Sequence, residues 1–156
     1  MMKVLFLHGW GSRPGGLKPT WLSEHGQRVV NPRLPDDDFE RCVGIAQDAF
    51  DRVRPEVVVG SSRGGAVAVN ILRSDVPLVL VAPAWKRWGA ATTVREPVVI
   101  LHSQCDGVVP IEDSRQLLCQ SGLADDHLLV VGEDHTMSDI AALGALLEAV
   151  RRIGQA

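Results

Sequence analysis

The sequence predicts an α/β protein built on a doubly wound parallel sheet. Three observations carry that expectation. Six short runs of β-branched and aliphatic residues are spread along the chain. Most are apolar without alternation, which suits strands covered on both faces, as parallel strands are. Between them lie segments with apolar residues at three- and four-residue steps, the period of a helix that buries one face. Strands alternating with helices lead to one sheet with helices on its two faces, a three-layer α/β/α sandwich.

The elements follow in order. The first strand is expected at Lys3–Leu7 and runs into His8-Gly9-Trp10-Gly11. Trp21 then falls in a loop region. The second strand, Arg28–Asn31, is stopped by Pro32, which has no N–H to give a ladder. A helix over Asp38–Val53 places Phe39, Cys42, Val43, Ala46, Ala49, Phe50 and Val53 on one face. The acidic run Asp36–Asp38 stands where caps and dipole-favoured charges belong, with a metal site as the lesser alternative. The third strand, Val57–Gly60, leads into a helix over Gly64–Arg73. The fourth and fifth strands are Pro77–Val81 and Val98–His102, the latter followed by a helix over Ile111–Ser121. The sixth strand, His127–Val131, precedes a helix over Ser138–Ile153 with Ile140, Leu143, Leu147 and Val150 on one side.

Composition narrows the class. A chain of 156 residues is expected to form one domain. With 46% hydrophobic and 22% charged residues it has the makings of a core, so disorder is not expected. The formal charge of −3 and the lack of a basic run give no cationic face for nucleic acid. No apolar stretch approaches the ~20 residues that span a bilayer. The segment Met1–Leu7 lacks the features of a secretory signal. The three cysteines, Cys42, Cys105 and Cys119, form no C-x-x-C pair and no zinc spacing, which fits a reducing compartment. A cytoplasmic location is the expectation.

Ligands of such sheets bind beyond the carboxyl ends of the strands, so the residues there matter most. After the third strand comes Gly60-Ser61-Ser62-Arg63-Gly64, a G-x-S-x-G pattern centred on Ser62. A nucleophile on a sharp strand-to-helix turn needs small neighbours to let strand and helix pass closely. The same spacing also suits a plain glycine-rich turn with capping serines. After the fifth strand lies Asp106, in a turn before Gly107; after the sixth lies His135. An imidazole between a carboxylate and a serine is what hydroxyl activation needs: His takes the proton, and Asp fixes its tautomer. The order Ser62, Asp106, His135, each beyond a different strand, distinguishes the set from three unrelated loop residues. Asp134, His102, His127 and Asp113 are nearby alternatives, with helix capping the simpler account of Asp113. Cys105 has no base of its own and is a poor nucleophile candidate. His8 is expected to order its loop. Arg63 and Arg13 could meet a substrate anion, an ion pair with a neighbouring acid being the simpler account of Arg63.

On these motifs the sequence resembles the α/β-hydrolase superfamily, from Leu7-His8-Gly9-Trp10-Gly11 to Gly132-Glu133-Asp134-His135. The segment Leu101-His102-Ser103-Gln104-Cys105-Asp106-Gly107-Val108-Val109-Pro110 is similar to the family's acid loop, with Ser103 where the family has glycine. Within the superfamily it looks most like the small, lidless serine esterases of the YqiA and retinoblastoma-binding-protein types. The resemblance implies a minimal hydrolase fold without the family's first two strands, its parallel sheet ordered 2-1-3-4-5-6. The connection Ala82–Pro97 is too short for a lid, so an open site is expected. It further implies a Ser62-Asp106-His135 triad cleaving carboxylic esters or thioesters through an acyl-enzyme, with no metal or organic cofactor. The oxyanion donors would be the backbone amides of Trp10 and Arg63. Trp85 and Trp88 are candidates to line the substrate pocket, with core packing as the alternative. A small-molecule ester is the expected partner. A competing reading is a non-catalytic binding or scaffold protein on the same fold, since fold alone does not imply activity.

Overall fold

The computed structural model describes residues 1–156. Six strands form one sheet: β1 (Lys3–Leu7), β2 (Arg28–Val30), β3 (Val57–Ser61), β4 (Leu78–Val81), β5 (Val98–His102) and β6 (Leu128–Val130). Their order is β2-β1-β3-β4-β5-β6, and every neighbouring pair is parallel. Five α-helices accompany them: α1 (Leu17–Glu24), α2 (Phe39–Val53), α3 (Arg63–Val69), α4 (Ile111–Gln120) and α5 (Ile140–Gln155). No helix is long and apolar enough to cross a membrane.

The apolar runs work as doubly covered strands. Leu5 and Leu7 of β1, Val58 of β3, Leu78 and Leu80 of β4 and Ile100 of β5 face one layer, where they meet α2, α3 and α4. Val4, Phe6, Val57, Val59, Val79, Val81 and Leu101 face the other, where they meet Leu22 of α1 and the buried side of α5. Successive side chains point to opposite faces, so a run with no polar residue feeds two cores at once. Each fully buried aliphatic side chain contributes about 1.5–3 kcal/mol of transfer free energy.

The helices differ from expectation in instructive ways. Helix α1 lies where a loop is expected, because LKPTWLSE has no apolar stripe; only Pro19 and Leu22 are buried in it. Pro19 sits in its first turn, where a missing N–H costs nothing. Helix α2 starts as the acidic run implies: the Asp38 carboxylate caps it by accepting from the Arg41 amide at 3.0 Å. Helix α3 ends at Val69, four residues short of Arg73. Asn70 stops it, donating from its side-chain amide to the Ala66 carbonyl at 2.8 Å and accepting from the Ala91 amide at 3.2 Å. Helix α5 begins one residue after Asp139, whose carboxylate accepts from Ala142 N–H at 3.1 Å. Ile140 is 74% exposed and does not belong to the buried face, which Ala142, Leu143, Leu146, Leu147 and Val150 form instead.

Strand β6 is one of the two edge strands and, like β2 at the other edge, only three residues long. It is preceded by a short 3-10 turn over Asp125–His127, so His127 lies outside the ladder. Residues Ala82–Pro97 between β4 and β5 form a series of turns without a helix, and no lid covers the carboxyl edge.

Candidate active site

Strand β3 turns sharply into α3 at Ser62. The turn gives Ser62 φ +56° and ψ −117°, a conformation that side chains rarely adopt. Such backbone costs on the order of 1–3 kcal/mol and persists because the surroundings hold it. Two glycines make the turn feasible. A Cβ on Gly64 would lie 2.0 Å from the Leu7 carbonyl oxygen, and one on Gly60 would lie 2.6 Å from the Gly64 carbonyl oxygen. The helix therefore presses directly on β1 and β3, and its first amides point back over the sheet edge.

Ser62 Oγ lies 2.9 Å from His135 Nε2. His135 Nδ1 lies 2.7 Å from Asp106 Oδ2. With Nδ1–H donating to the carboxylate, Nε2 is left as the acceptor for the serine hydroxyl. The carboxylate side chain of Asp106 is wholly buried. Its Oδ1 accepts from the amides of Val108 and Val109, both at 2.8 Å. Burial alone would raise its pKa, but the hydrogen bonds from His135, Val109 and Val108 outweigh that and hold it below the ordinary carboxylate value.

Asp134 does not compete for the imidazole. Its carboxylate accepts from the amide and hydroxyl of Thr136, which lowers its pKa. His127 pairs with Glu96 at 2.8 Å beside β6. Asp113 pairs with Lys86 at 3.3 Å within the first turn of α4. Buried His8 accepts from the Leu34 amide at 3.0 Å through Nε2, and so ties the loop after β1 to the chain after β2. The acidic run disperses: Asp38 caps α2, while Asp36 Oδ1 accepts from the Gly11 amide at 2.8 Å and steadies the glycine-rich loop.

A cavity of about 500 Å³ opens beside Ser62, lined by Trp10, Arg63, Ala84, Arg87, Trp88, Val108, Val109 and His135. The Trp10 amide makes no hydrogen bond within the chain, and the Arg63 amide is the first of α3, without an intrahelical acceptor. The pocket expectation for Trp85 needs correction. Trp85 is 4% exposed, packs in the core beneath α2 and α4, and donates from its indole nitrogen to the Asp113 carbonyl at 2.8 Å. A turn closed by the Arg87 amide on the Ala84 carbonyl sends the two rings apart, and only Trp88 reaches the cavity. Arg63 also departs from expectation. Its guanidinium meets no carboxylate; it donates to the carbonyls of Pro35 at 3.0 Å and Asp36 at 3.4 Å, and stacks on Trp88 with Cζ 4.7 Å from the ring centre. A guanidinium exposes a flat face to aromatic rings while its edge donates, which makes it a brace under the cavity wall.

Two buried groups that the sequence places near the acid take roles there that it does not specify. Ser103 donates to the Gly132 carbonyl at 2.9 Å and accepts from the Cys105 amide at 3.1 Å. It therefore clips the acid loop to the loop that carries His135. His102, wholly buried, places Nε2 3.1 Å from Asp106 Oδ2. A small polar residue before the acid and a histidine four residues upstream were the available signals.

Comparison with known proteins supports the fold. No protein-family model and no curated protein matches the chain by sequence. Solved structures do resemble it. The ydeN gene product from B. subtilis aligns over 100% of both chains with a TM-score of 0.75 at 14% identity. Mouse α/β hydrolase domain-containing protein 10 aligns over 96% of this chain and 88% of its own, with a TM-score of 0.73 at 19% identity. The esterase domain of a Rhodothermus marinus protein aligns over 98% and 87%, with a TM-score of 0.69 at 19% identity. The chain has a small α/β-hydrolase fold.

Proposed function

We propose that the protein is a serine hydrolase that cleaves carboxylic esters, thioesters included, by two-step acyl transfer. The observation that carries the reading is the unbroken chain from Ser62 Oγ through His135 to buried Asp106, with links of 2.9 and 2.7 Å. The likeness to an esterase domain and to other hydrolases supports it.

In this reading His135 Nε2 takes the hydroxyl proton as Ser62 Oγ bonds to the substrate carbonyl carbon. The carbonyl oxygen gains the electron pair and lies between the amides of Trp10 and Arg63. Removing one such donor typically costs about 2.7–4 kcal/mol of transition-state stabilisation. The imidazolium is stabilised by Asp106 and gives its proton to the departing alcohol or thiol. Water, deprotonated by the same imidazole, then attacks the acyl-enzyme and releases the acid and free Ser62. The cavity walls of Trp10, Ala84, Trp88, Val108 and Val109 are mostly apolar and suit an apolar acyl or alcohol group. The open edge admits substrate without interfacial gating.

The direct test combines labelling by a fluorophosphonate probe with hydrolysis of p-nitrophenyl esters and thioesters of graded chain length. Labelling at Ser62 with turnover supports the proposal. No label and no turnover from neutral to mildly alkaline pH would favour the scaffold reading.

A further inference from the structure

We propose that His102 is a second histidine on the acid: a positioning residue that holds the Asp106 carboxylate in one orientation and tempers its basicity toward His135. This rests on the serine-hydrolase reading and goes beyond the three triad residues.

The protonation state follows from the partners. His102 Nε2 faces two acceptors, Asp106 Oδ2 at 3.1 Å and the Val109 carbonyl at 2.9 Å. Neither carbonyl nor carboxylate can donate, so Nε2 carries the proton. Nδ1 lies 2.7 Å from the hydroxyl of Ser114, which is wholly buried in α4. In a neutral ring Nδ1 accepts, so Ser114 donates. Burial lowers the His102 pKa, the largest influence on it, which keeps the ring neutral despite the adjacent carboxylate. Ser114, a single hydroxyl on the far side of the ring, thus selects the tautomer that points a donor at the acid.

The consequence for Asp106 is saturation. Its two oxygens offer about four lone-pair sites, and four N–H groups fill them. Val108 and Val109 donate to Oδ1, while His135 and His102 donate to Oδ2. With both oxygens engaged from opposite sides, the carboxylate cannot rotate away from His135. The His102 bond also withdraws electron density from the oxygen that His135 uses. Asp106 is the ionisable group in direct contact with His102, and His135 acts on it electrostatically from the far side of that carboxylate. Asp134 on the base loop and the Asp113–Lys86 pair beside Ser114 complete the charged surroundings.

The test uses His102→Leu, His102→Gln and Ser114→Ala in the full chain, assayed with a p-nitrophenyl ester and normalised by fluorophosphonate titration of competent sites. Removing the donor in His102→Leu lowers kcat roughly 10- to 100-fold, the usual cost of losing an orienting partner, with KM nearly unchanged. Asp106 becomes more basic, so the base stays protonated to higher pH and the acidic limb of kcat/KM moves upward. His102→Gln, which keeps an N–H for Asp106, recovers most of both effects. Ser114→Ala leaves the ring in place and moves both readouts the same way by less, which decides the matter if His102→Leu fails to fold. A loss explained wholly by fewer competent sites, or an acidic limb that stays put in the folded variants, overturns the proposal while leaving the triad intact. A wild type that neither labels nor turns over would overturn the hydrolase reading, and this one with it.

Discussion

Asp106→Asn removes a charge without changing shape, and its outcome can be worked from the four donors around that carboxylate. An amide offers one acceptor oxygen and one NH₂ donor. If the NH₂ faces Val108 and Val109, the amide of buried Val109 and that of exposed Val108 both lose their acceptor and meet a donor. At about 1–3 kcal/mol for the orphaned Val109 donor and about 0.5–1.5 for the lost bond at exposed Val108, this orientation costs roughly 1.5–4.5 kcal/mol, a large part of a typical domain's 5–15. If the NH₂ faces the imidazoles, the backbone amides keep their acceptor. His135 can answer by moving its proton to Nε2, but His102 cannot, because its Nε2–H is also held by Val109. Only one donor is then stranded, at about 1–3 kcal/mol, so this orientation wins. The price falls on catalysis: with its proton on Nε2, His135 cannot accept from Ser62 2.9 Å away. The expected result is a kcat drop of about 10³- to 10⁴-fold. Tm falls by about 2–4 °C for each kcal/mol lost in a chain this size. Steady-state kinetics with a p-nitrophenyl ester and a thermal melt measure both. A variant that keeps kcat within tenfold of wild type would refute the tautomer argument, decisively so if Asp134→Asn abolished activity instead.

Three further outcomes follow from the same geometry. Ser62→Ala lowers turnover by roughly 10⁴- to 10⁶-fold with little loss of folding, whereas Ser62→Gly, equally inactive, relieves the φ of +56° and melts at a higher temperature than Ser62→Ala; equal melting points would count against a strained turn. Gly64→Ala drives a Cβ to within 2.0 Å of Leu7 O and unfolds the protein or costs more than the ~1–3 kcal/mol typical of overpacking, while Gly44→Ala, with open space inside α2, is neutral or stabilising by up to ~1 kcal/mol in a denaturant titration. Trp88→Ala raises KM for bulky acyl groups with a modest effect on stability, and Trp85→Ala costs about 3–5 kcal/mol of stability through its core cavity; an assay series across acyl lengths beside chemical denaturation separates the two.

The sheet was legible because its strands are buried on both faces, so apolar continuity in Val57–Val59 or Leu78–Val81 had only one good home. The order of the site along the chain was legible for a related reason: parallel strands deliver their following loops to one edge. What stayed hidden depended on contacts between distant segments. Helix α1 buries too few residues to leave a periodic trace. The fates of Trp85 and Trp88 turn on a single backbone turn between neighbours. Arg63 finds its acceptors in carbonyls of Pro35 and Asp36, which no pattern of side chains announces. His102 is legible as a strand end and as a histidine near the triad, but its link to Asp106 is not, because its partner Ser114 lies on another element and only packing joins them.

The placement of His135 has a further consequence. Its loop hangs from β6, the shortest kind of rim strand, held to the sheet on one side alone through pairs such as His102 with Val130. Segments of that sort open locally at free energies well below that of global unfolding. Ser62, by contrast, sits at the centre of the sheet. The base therefore belongs to the layer of the molecule that frays first, and the nucleophile to the layer that melts last. The proposed activity becomes a gauge of the rim: it would fade under mild denaturation while the central strands, and most of the spectroscopic signal, remain intact.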